Sequence, residues 1–306
     1  MHPLPDQLLP DAFVQTVHDV HGARGAAWLA ALPGLIDGCA RRWGLTVLPP
    51  FALSYNYAAP AFTGDGRSVV LKLGVPNPEL TCEIAALRLY AGRGAVQLLE
   101  ADEAQGILLL ERLLPGTPLR DLPDDDQATR IAAEVMQALW RPLPPDHPFP
   151  TTARWAAGLE RLRARFDGGT GPLPAALVDR AEGLFRDLLA SSAPPRLLHG
   201  DLHHENILAA QRAPWLALDP KGLAGEPAYE TGALLRNPPG VETWPDLRRI
   251  QARRVAILAE MLDLEPQRIA GWALAQAVLS AWWSVEDHGS GWEAAIQIAE
   301  GMADLT

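Results

Sequence analysis

The stretch His199-Gly200-Asp201-Leu202-His203-His204-Glu205-Asn206 decides the fold, and Asp219 follows it at the end of the apolar run 215–218. Asp201 and Asn206 lie five positions apart in a polar loop that comes after a short apolar stretch. Transfer of a phosphoryl group needs a carboxylate to orient the attacking hydroxyl and two oxygen ligands for the Mg²⁺ on the triphosphate. A loop Asp and Asn, with an Asp at a nearby strand end, can supply these three groups at one point.

The chain before this loop has the pattern of an antiparallel sheet. Short apolar or alternating runs recur between residues 45 and 112, and Thr63-Gly64-Asp65-Gly66-Arg67 is a strong turn signal between two of them. The predicted strands are 46–48 with 51–53, 55–62, 68–73, 96–101 and 106–112. Helical spacing in 79–90 predicts one helix inserted in this five-stranded sheet, and 11–43 predicts two leading helices that end near Gly44.

The chain after residue 113 reads as mostly helical. Asp126 is predicted to cap a helix that runs to about Trp140. Further helices are predicted at 152–166, 174–190, 245–263, 266–283 and 291–303. The fold class is therefore α+β, with a small antiparallel-sheet N-terminal lobe (1–112), a larger helical C-terminal lobe (113–306) and a cleft between them.

Composition limits the classes of partner. The chain has 26 basic and 37 acidic residues, a formal net charge of −11, which argues against nucleic-acid binding. The charge is compatible with a cationic substrate, although acidic surfaces also serve solubility alone. The only two cysteines, Cys39 and Cys82, lie in apolar-periodic segments and are expected to pack as small hydrophobes.

The sequence predicts a soluble, cytoplasmic protein with no membrane partner. The N-terminus Met1–Asp6 lacks a basic segment followed by an apolar core, so no signal peptide is expected. No apolar run approaches the roughly 18 to 20 residues that span a bilayer. Nothing in the sequence predicts an oligomeric state.

The motif His-Gly-Asp-Leu-His-x-x-Asn resembles the catalytic signature of the aminoglycoside phosphotransferases, and its Asp–Asn spacing matches kinase catalytic loops. With Ala217–Leu223 and Leu234–Pro238, the chain looks most like the streptomycin 6-phosphotransferase and hydroxyurea phosphotransferase branch. The resemblance implies a bilobal, protein-kinase-like fold and phosphorylation, from ATP, of a hydroxyl on a small-molecule acceptor. It also implies that Asp201 is the catalytic carboxylate and that Asn206 and Asp219 hold Mg²⁺.

The same resemblance implies a nucleotide site in the N-terminal half. Lys72 would reach the α- and β-phosphates and pair with Glu83, and Ser54 with nearby backbone N–H groups would cap the phosphates. The backbone of 110–113, which includes Glu111 and Leu113, would bind adenine. The residues support Lys72, because a charge in an otherwise apolar strand requires a partner. Glu83 is a better partner than Glu79, because it lies a turn further into the helix.

Two segments depart from the protein-kinase pattern. The loop Ser54-Tyr55-Asn56-Tyr57 lacks the glycines of a phosphate-binding loop. The metal segment is Asp219-Pro220-Lys221-Gly222 rather than Asp-Phe-Gly, which argues against an activation-loop switch. Lys221 can either touch phosphate or face solvent.

The acceptor site is predicted from carboxylates and aromatic rings that together suit a polycationic sugar. Candidates are Trp282, Glu286 and Asp287 near the C-terminus, and Glu226 and Glu230 just after the metal segment. Tryptophans at helical spacing are usually core residues, and Trp272 is expected to be one.

Three alternatives stay open. His203, His204 and Glu205 suggest a metal-dependent hydrolase, but no Gly-Asn-His cluster supplies its further ligands. A catalytically silent nucleotide-binding module that regulates a partner would not need Lys72 and Asp201 together with both metal ligands. Within the enzyme class, the acceptor can be a metabolite, such as an amino sugar, an amino alcohol or a hydroxyurea-like compound.

Overall fold

A computed structural model describes residues 9–306. The expectation about a signal peptide concerns Met1–Asp6, which lie outside the described residues. The chain divides into two compact units. The first comprises Met1–Ile84 and Val96–Arg112, and the second comprises Ala85–Ala95 and Leu113–Thr306. The division at residue 112 stays a prediction.

The first unit contains the predicted five-stranded antiparallel sheet, in the order β1-β2-β3-β5-β4. Its strands are β1 (Thr46–Val47), β2 (Tyr57–Phe62), β3 (Ser68–Leu73), β4 (Leu98–Asp102) and β5 (Ile107–Glu111). The prediction of a strand at 51–53 is wrong, because β1 ends before Pro49 and Pro50, whose nitrogens carry no hydrogen to donate to a sheet. The inserted helix α2 (Pro78–Tyr90) follows β3 as predicted.

The leading helix α1 (Asp11–Trp43) is two helical segments joined at Gly22, whose φ is 54° and ψ −132°. The two predicted helices are therefore confirmed. They approach so closely that a Cβ on Gly25 would lie 2.4 Å from the carbonyl oxygen of Val17. Apolar side chains of both segments, such as Phe13 and Trp28, join strand residues such as Leu71 in one buried cluster.

The second unit is mostly helical, as predicted. Its helices are α3 (Asp125–Leu139), α4 (Thr152–Arg165), α5 (Ala175–Ala190), α6 (Pro227–Leu235), α7 (Leu247–Leu262), α8 (Pro266–His288) and α9 (Glu293–Ala303). The cap prediction is wrong by two residues. Asp124, not Asp126, accepts a hydrogen bond from the Gln127 N–H at 3.0 Å, whereas Asp126 lies in the first turn and binds Arg253.

Two small antiparallel sheets complete the second unit. One has the order β10-β9-β6 and the other β11-β8-β7. Their strands are β6 (Pro115–Pro118), β7 (Arg141–Pro142), β8 (Arg196–Leu198), β9 (Ile207–Ala210), β10 (Trp215–Ala217) and β11 (Leu223–Gly225). The loop that decides the fold therefore links one sheet, through β8, to the other, through β9.

Helix α6 has no counterpart among the helices predicted from the sequence. Its residues 228–235 are all buried, so no polar face produces the amphipathic periodicity by which helices are recognised. It begins at Pro227, a residue well suited to the first position of a helix. This buried helix lies under the loop 199–206, as the contacts below show.

Two expectations about apolar segments can be compared with the structure. Cys39 and Cys82 are both buried free cysteines, so the prediction that they pack as small hydrophobes is confirmed. Across residues 9–306, none of the helices combines the length and apolar character needed to cross a membrane.

Candidate active site

The loop 199–206 brings the two predicted metal ligands to one end of the β9–β10 hairpin. Ile207 and Ala217 are paired in this hairpin, and the Leu218 N–H donates to the Asn206 carbonyl oxygen at 3.0 Å. Asp219 follows immediately, with a φ of 58°. This left-handed conformation is unfavourable for most non-glycine residues and is tolerated best by Asp and Asn. Asn206 and Asp219 are separated in the sequence but are thus neighbours in the structure.

Asp201 lies in the same loop and is held at its backbone and its side chain. The Asn206 side-chain amide donates to the Asp201 carbonyl oxygen at 2.9 Å. Arg236 Nη2 donates to Asp201 Oδ1 at 3.2 Å, and His203 Nε2 lies 3.8 Å from Oδ2. Burial by itself would raise the pKa of Asp201, but the charges of Arg236 and then His203 outweigh it, so the pKa is lowered. Asp201 is therefore an anion at neutral pH.

Arg236 is a site residue to which sequence reasoning gave no role. It follows the last residue of α6, and its Nη1 donates to the side-chain oxygen of Gln276, which is 2% exposed. The Gln276 amide nitrogen in turn donates to the Tyr229 carbonyl oxygen at 3.3 Å. This chain of contacts fixes the guanidinium that faces Asp201. The sequence signal was weak, because one Arg after an apolar run looks like an ordinary helix end.

Glu230 supports the loop backbone from α6. Its Oε2 accepts from the His199 N–H at 2.6 Å and its Oε1 from the Gly200 N–H at 2.9 Å. The side chain is buried, and that burial raises the pKa of Glu230 to about 7 in spite of the two backbone hydrogen bonds. The prediction that Glu230 contacts an acceptor is wrong in this structure, because both carboxylate oxygens are occupied by the loop.

The prediction that Glu226 and Trp282 contact an acceptor is also wrong. Glu226 is 3% exposed and accepts from Arg268, the Ala193 N–H and the indole of Trp272. Trp282 is 1% exposed and packs in the core. Trp272 is buried as well, and for Trp272 the core position agrees with the prediction. Both corrections have one cause, since side chains buried among protein partners present nothing to a ligand.

Glu286 and Asp287 lie near the end of α8 with different surroundings. Glu286 is bound by two nitrogens of Arg161, at 2.8 and 2.7 Å, and Asp287 is exposed. Neither fact tests a contact with an acceptor, so these two residues stay candidates.

His199 supports the loop backbone through both ring nitrogens. His199 is fully buried, its Nδ1 accepts from the Asp201 N–H at 3.2 Å, and its Nε2 lies 2.8 Å from the Leu218 carbonyl oxygen. These contacts require a proton on Nε2, and burial lowers the pKa of His199 to about 4, so the ring is neutral. His204 is buried too, and burial lowers its pKa to about 3.

The Asn206–Asp219 pair fits Mg²⁺. The Asn206 side chain uses its nitrogen as a donor to Asp201, which leaves its oxygen as the ligand atom, and the Asp219 carboxylate supplies a second. Mg²⁺ is commonly held by one or two such oxygen groups together with substrate phosphates. In residues 9–306, no group of three or more His, Cys, Asp and Glu could hold a metal ion. Lys221 bonds the loop through its backbone N–H, 2.8 Å from the His199 carbonyl oxygen.

The first unit contains the predicted nucleotide residues. Lys72 Nζ and Glu83 Oε1 form a buried ion pair at 2.6 Å, so the predicted pairing is confirmed. Ser54 is exposed. Glu111 ends β5, and its carboxylate accepts from the Gln97 N–H at 3.1 Å. Leu113, which belongs to the second unit, is buried. Their roles toward a nucleotide stay predictions.

Comparisons of sequence give a consistent result. Residues 54–288 match the sequence model of a family described as aminoglycoside/hydroxyurea antibiotic resistance kinase. The chain is 34% identical over 295 residues to the streptomycin 6-kinase of Streptomyces griseus, with 91% of each chain covered. It is 36% identical over 292 residues to the hydroxyurea phosphotransferase of Kitasatospora aureofaciens, with 91% of this chain and 81% of that protein covered. These matches confirm the resemblance that the motifs predicted.

Comparison of structures confirms the fold class. The chain is similar to a thermostable mutant of the aminoglycoside phosphotransferase APH(4)-Ia, solved as a ternary complex with ADP and hygromycin B. The TM-score is 0.61, the identity 17%, and the match covers 88% of this chain and 96% of that one. At this identity the likeness shows the fold alone. It is the predicted α+β, protein-kinase-like fold, in which an antiparallel sheet precedes a mostly helical region.

Proposed function

The chain belongs to the aminoglycoside/hydroxyurea antibiotic resistance kinase family, and from this premise we propose that it phosphorylates a hydroxyl of a small cationic molecule, such as an aminoglycoside of the streptomycin type. ATP is the proposed phosphate donor. The observation that carries the proposal is the loop 199–206, which holds an ionised Asp201 beside the Asn206–Asp219 oxygen pair.

The reaction assigns a role to Asp201. The acceptor hydroxyl oxygen forms a bond to the γ-phosphorus, the bond from that phosphorus to the bridging oxygen breaks, and ADP leaves with the electron pair. Asp201 accepts a hydrogen bond from the hydroxyl and orients the oxygen, and it takes up the hydroxyl proton as the new bond forms. Because phosphoryl transfer depends mainly on positioning and charge neutralisation, a fixed anion suits this task.

Two further sets of residues bind the donor. Asn206 and Asp219 would hold Mg²⁺, which when bound neutralises charge on the phosphates. Lys72, fixed by Glu83, binds the α- and β-phosphates, and Ser54 with its neighbouring N–H groups caps them. The backbone of 110–113, including Glu111 and Leu113, binds adenine. A silent binding module has no need of this complete set.

The acceptor class rests on the relatives and on charge. A streptomycin 6-kinase is 34% identical to this chain over 91% of both lengths. The formal net charge of −11 attracts a cationic acceptor and not an anionic one. Exposed Asp287 and the partly exposed Glu286 are the carboxylates proposed to contact it.

Hydroxyurea is the second candidate acceptor. The observation that favours it is the 36% identity to a hydroxyurea phosphotransferase. Hydroxyurea is small and uncharged, so it needs neither carboxylate and would be bound close to Asp201.

The experiment is an ATP-consumption screen across streptomycin, other aminoglycosides, hydroxyurea, amino sugars and amino alcohols. Mass spectrometry then identifies the phosphorylated product. We expect transfer to streptomycin and none in an Asp201→Asn control. Transfer only to amino sugars or amino alcohols would overturn the aminoglycoside assignment, and slow ATP hydrolysis that no acceptor stimulates would favour the silent module.

A further inference from the structure

We propose that Glu230 is a positioning residue for phosphate transfer: its ionised carboxylate holds the backbone at His199 and Gly200, and this sets the place of Asp201. The inference rests on the proposed function. It adds that neutralising this carboxylate, by substitution or by protonation, impairs turnover although Glu230 contacts no substrate.

Within residues 9–306, the backbone N–H groups of His199 and Gly200 have no acceptor other than Glu230. Strand β8 ends at Leu198, which pairs with Leu223, so the next two N–H groups lie beyond the sheet. Both residues are buried, and buried N–H groups need acceptors. The two oxygens of Glu230 satisfy one N–H each, at 2.6 and 2.9 Å. The next residue in the chain is Asp201, so the catalytic side chain begins one residue from this clamp.

The turn at Gly200 leaves the loop little freedom to form other contacts if a hydrogen bond to Glu230 is lost. Its φ is 85°, and a Cβ there would lie 3.1 to 3.3 Å from side-chain atoms of Trp155, Leu223 and Lys221. The loop is therefore closely packed on one side and bound by Glu230 on the other. Loss of one of the two hydrogen bonds would move the peptide that leads into Asp201.

Glu230 is an uncompensated buried charge. In the described part of the chain, residues 9–306, it has no ion-pair partner, and its hydrogen bonds are the two from the loop. The titratable groups that face it are Asp201 of the loop, Tyr229 of α6 and Tyr90, which lies near Arg141 of β7. The Tyr90 hydroxyl is buried without a hydrogen-bond partner in the described residues. None of these groups is a cation that would stabilise the carboxylate.

An amide cannot replace the carboxylate. In Glu230→Gln one oxygen becomes an NH₂ group that faces a backbone N–H, so one acceptor is lost and two donors oppose each other. Protonation has a similar effect, because it converts one acceptor oxygen into a hydroxyl. The raised pKa of Glu230, about 7, brings this protonation into the range in which the enzyme can be assayed.

The test compares Glu230→Gln with Glu226→Gln. Glu226 is the matched control, because it lies at the start of the same helix, is equally buried and bonds Arg268 rather than the loop. We expect Glu230→Gln to lower kcat about 100-fold with KM for ATP unchanged, since misplacement by about 1 Å has this effect. Glu226→Gln should keep the unmodified kcat even where it lowers the melting temperature. An unmodified kcat in Glu230→Gln would overturn the inference.

The pH dependence of the unmodified chain is a second measurement, which does not require the variant to fold. At saturating ATP and acceptor, kcat should fall as the pH is lowered through about 7, and at pH 6 it should be about tenfold below its plateau. Asp201 has a lowered pKa and His199 one of about 4, so neither accounts for such a decline. In Glu230→Gln the decline should be absent. A kcat that stays constant from pH 8 to pH 6 in the unmodified chain contradicts the inference.

Hydrogen exchange separates this inference from the proposed function. Amides of the peptide that contains His199 and Gly200 should exchange about tenfold faster or more in Glu230→Gln than in Glu226→Gln, because a lost hydrogen bond to a buried N–H opens the loop. If no acceptor is phosphorylated but exchange accelerates, the proposed function fails and the positioning by Glu230 stands. Unchanged exchange overturns the positioning whatever the activity.

Discussion

Asp201 shows how neighbouring charges determine what a carboxylate can do. Its burial opposes ionisation, yet Arg236 at 3.2 Å and His203 at 3.8 Å keep its pKa below the ordinary value. A carboxylate of low pKa is a weak base. It is suited to orienting a hydroxyl whose proton leaves as the phosphorus–oxygen bond forms, and less suited to removing that proton beforehand.

Replacement of Asp201 tests that role directly. Asp201→Asn keeps the size of the side chain but removes the negative charge, so kcat should fall at least about 100-fold. Because the donor is assigned to Lys72, Asn206 and Asp219, the affinity for ATP measured by calorimetry should be nearly unchanged. Normal turnover in this variant would refute the assignment, and loss of ATP binding would indicate that the substitution disturbs the metal ligands as well.

Arg236 provides a second test at the scale of one residue. Arg236→Met removes the guanidinium, so the Asp201 carboxylate loses its orienting partner and its pKa rises. We expect kcat to fall about 10- to 100-fold with KM for ATP unchanged. Arg253→Met is the control, because Arg253 bonds Asp126 rather than Asp201. If acceptor binding alone changes in Arg236→Met, Arg236 contacts the acceptor rather than positioning Asp201.

The site residues that could be predicted from the sequence are those that belong to one short motif or that differ clearly from their immediate neighbours. Asp201 and Asn206 share one loop, and Lys72 is recognisable as a charge in an apolar strand. Arg236 and Glu230 could not be assigned, because their partners lie 35 and about 30 positions away and only the tertiary fold brings them together. A carboxylate such as Glu230, whose partners are not recognisable in the sequence, therefore resembles a substrate ligand.

At the scale of elements, α6 carries both supports of the catalytic loop. Glu230 lies within it and holds the loop backbone, and Arg236 follows its last residue and holds the Asp201 side chain. A helix buried on all faces has no amphipathic pattern, which explains why the strands and the amphipathic helix α3 could be predicted and α6 could not. The helix that contacts the loop 199–206 is therefore the one whose sequence gives the weakest helical pattern.

The raised pKa of Glu230 also predicts a dependence of stability on pH. Between its ordinary pKa of 4.5 and about 7, the folded state binds the proton more tightly than the unfolded state does, so stability decreases as the pH rises through this range. The whole change corresponds to about 3 kcal/mol. Compared with Glu230→Gln, the unmodified chain should lose about that much free energy of unfolding between pH 4 and pH 8.

Urea unfolding of both proteins at several pH values measures this difference, in which the contributions of all other titrating groups cancel. A difference that does not vary with pH would show that the folded-state pKa of Glu230 is ordinary. An increase toward high pH would show that ionised Glu230 stabilises the fold.

Helix α1 offers a test of packing in the first unit. Gly25→Ala places a Cβ 2.4 Å from the Val17 carbonyl oxygen and should destabilise the unit by about 1–3 kcal/mol. Gly38→Ala is the matched control, since no atom lies within 4 Å of its added Cβ and an alanine in a helix is favoured by up to about 1 kcal/mol. Thermal unfolding should therefore shift in opposite directions in the two variants. Equal effects would mean that the two segments of α1 do not approach at Gly25.

At the scale of the whole molecule, fold and reaction class could be predicted and the acceptor could not. The sheet, the helical region and the catalytic loop are specified by periodicity and by one motif, whereas an acceptor is recognised by side chains from distant segments. Relatives that are similarly identical to this chain act on streptomycin and on hydroxyurea, so sequence similarity does not decide between them. The two acceptors differ in their own charge, because streptomycin is cationic and hydroxyurea is uncharged. This difference can be used to distinguish them.

The net charge of −11 predicts a salt dependence that differs between the two acceptors. Attraction between an acidic protein and a cationic aminoglycoside is screened as ionic strength rises from about 0.01 M to 0.15 M, where the Debye length falls from about 30 to 8 Å. KM for streptomycin should therefore rise several-fold over this range with kcat unchanged. KM for uncharged hydroxyurea should stay constant, which makes it the internal control. The two charge-removing variants Glu286→Gln and Asp287→Asn should weaken the effect if these carboxylates contact the acceptor. A KM for streptomycin that does not change with salt would mean that recognition depends on hydrogen bonds and shape, and that the acidic surface has no part in it.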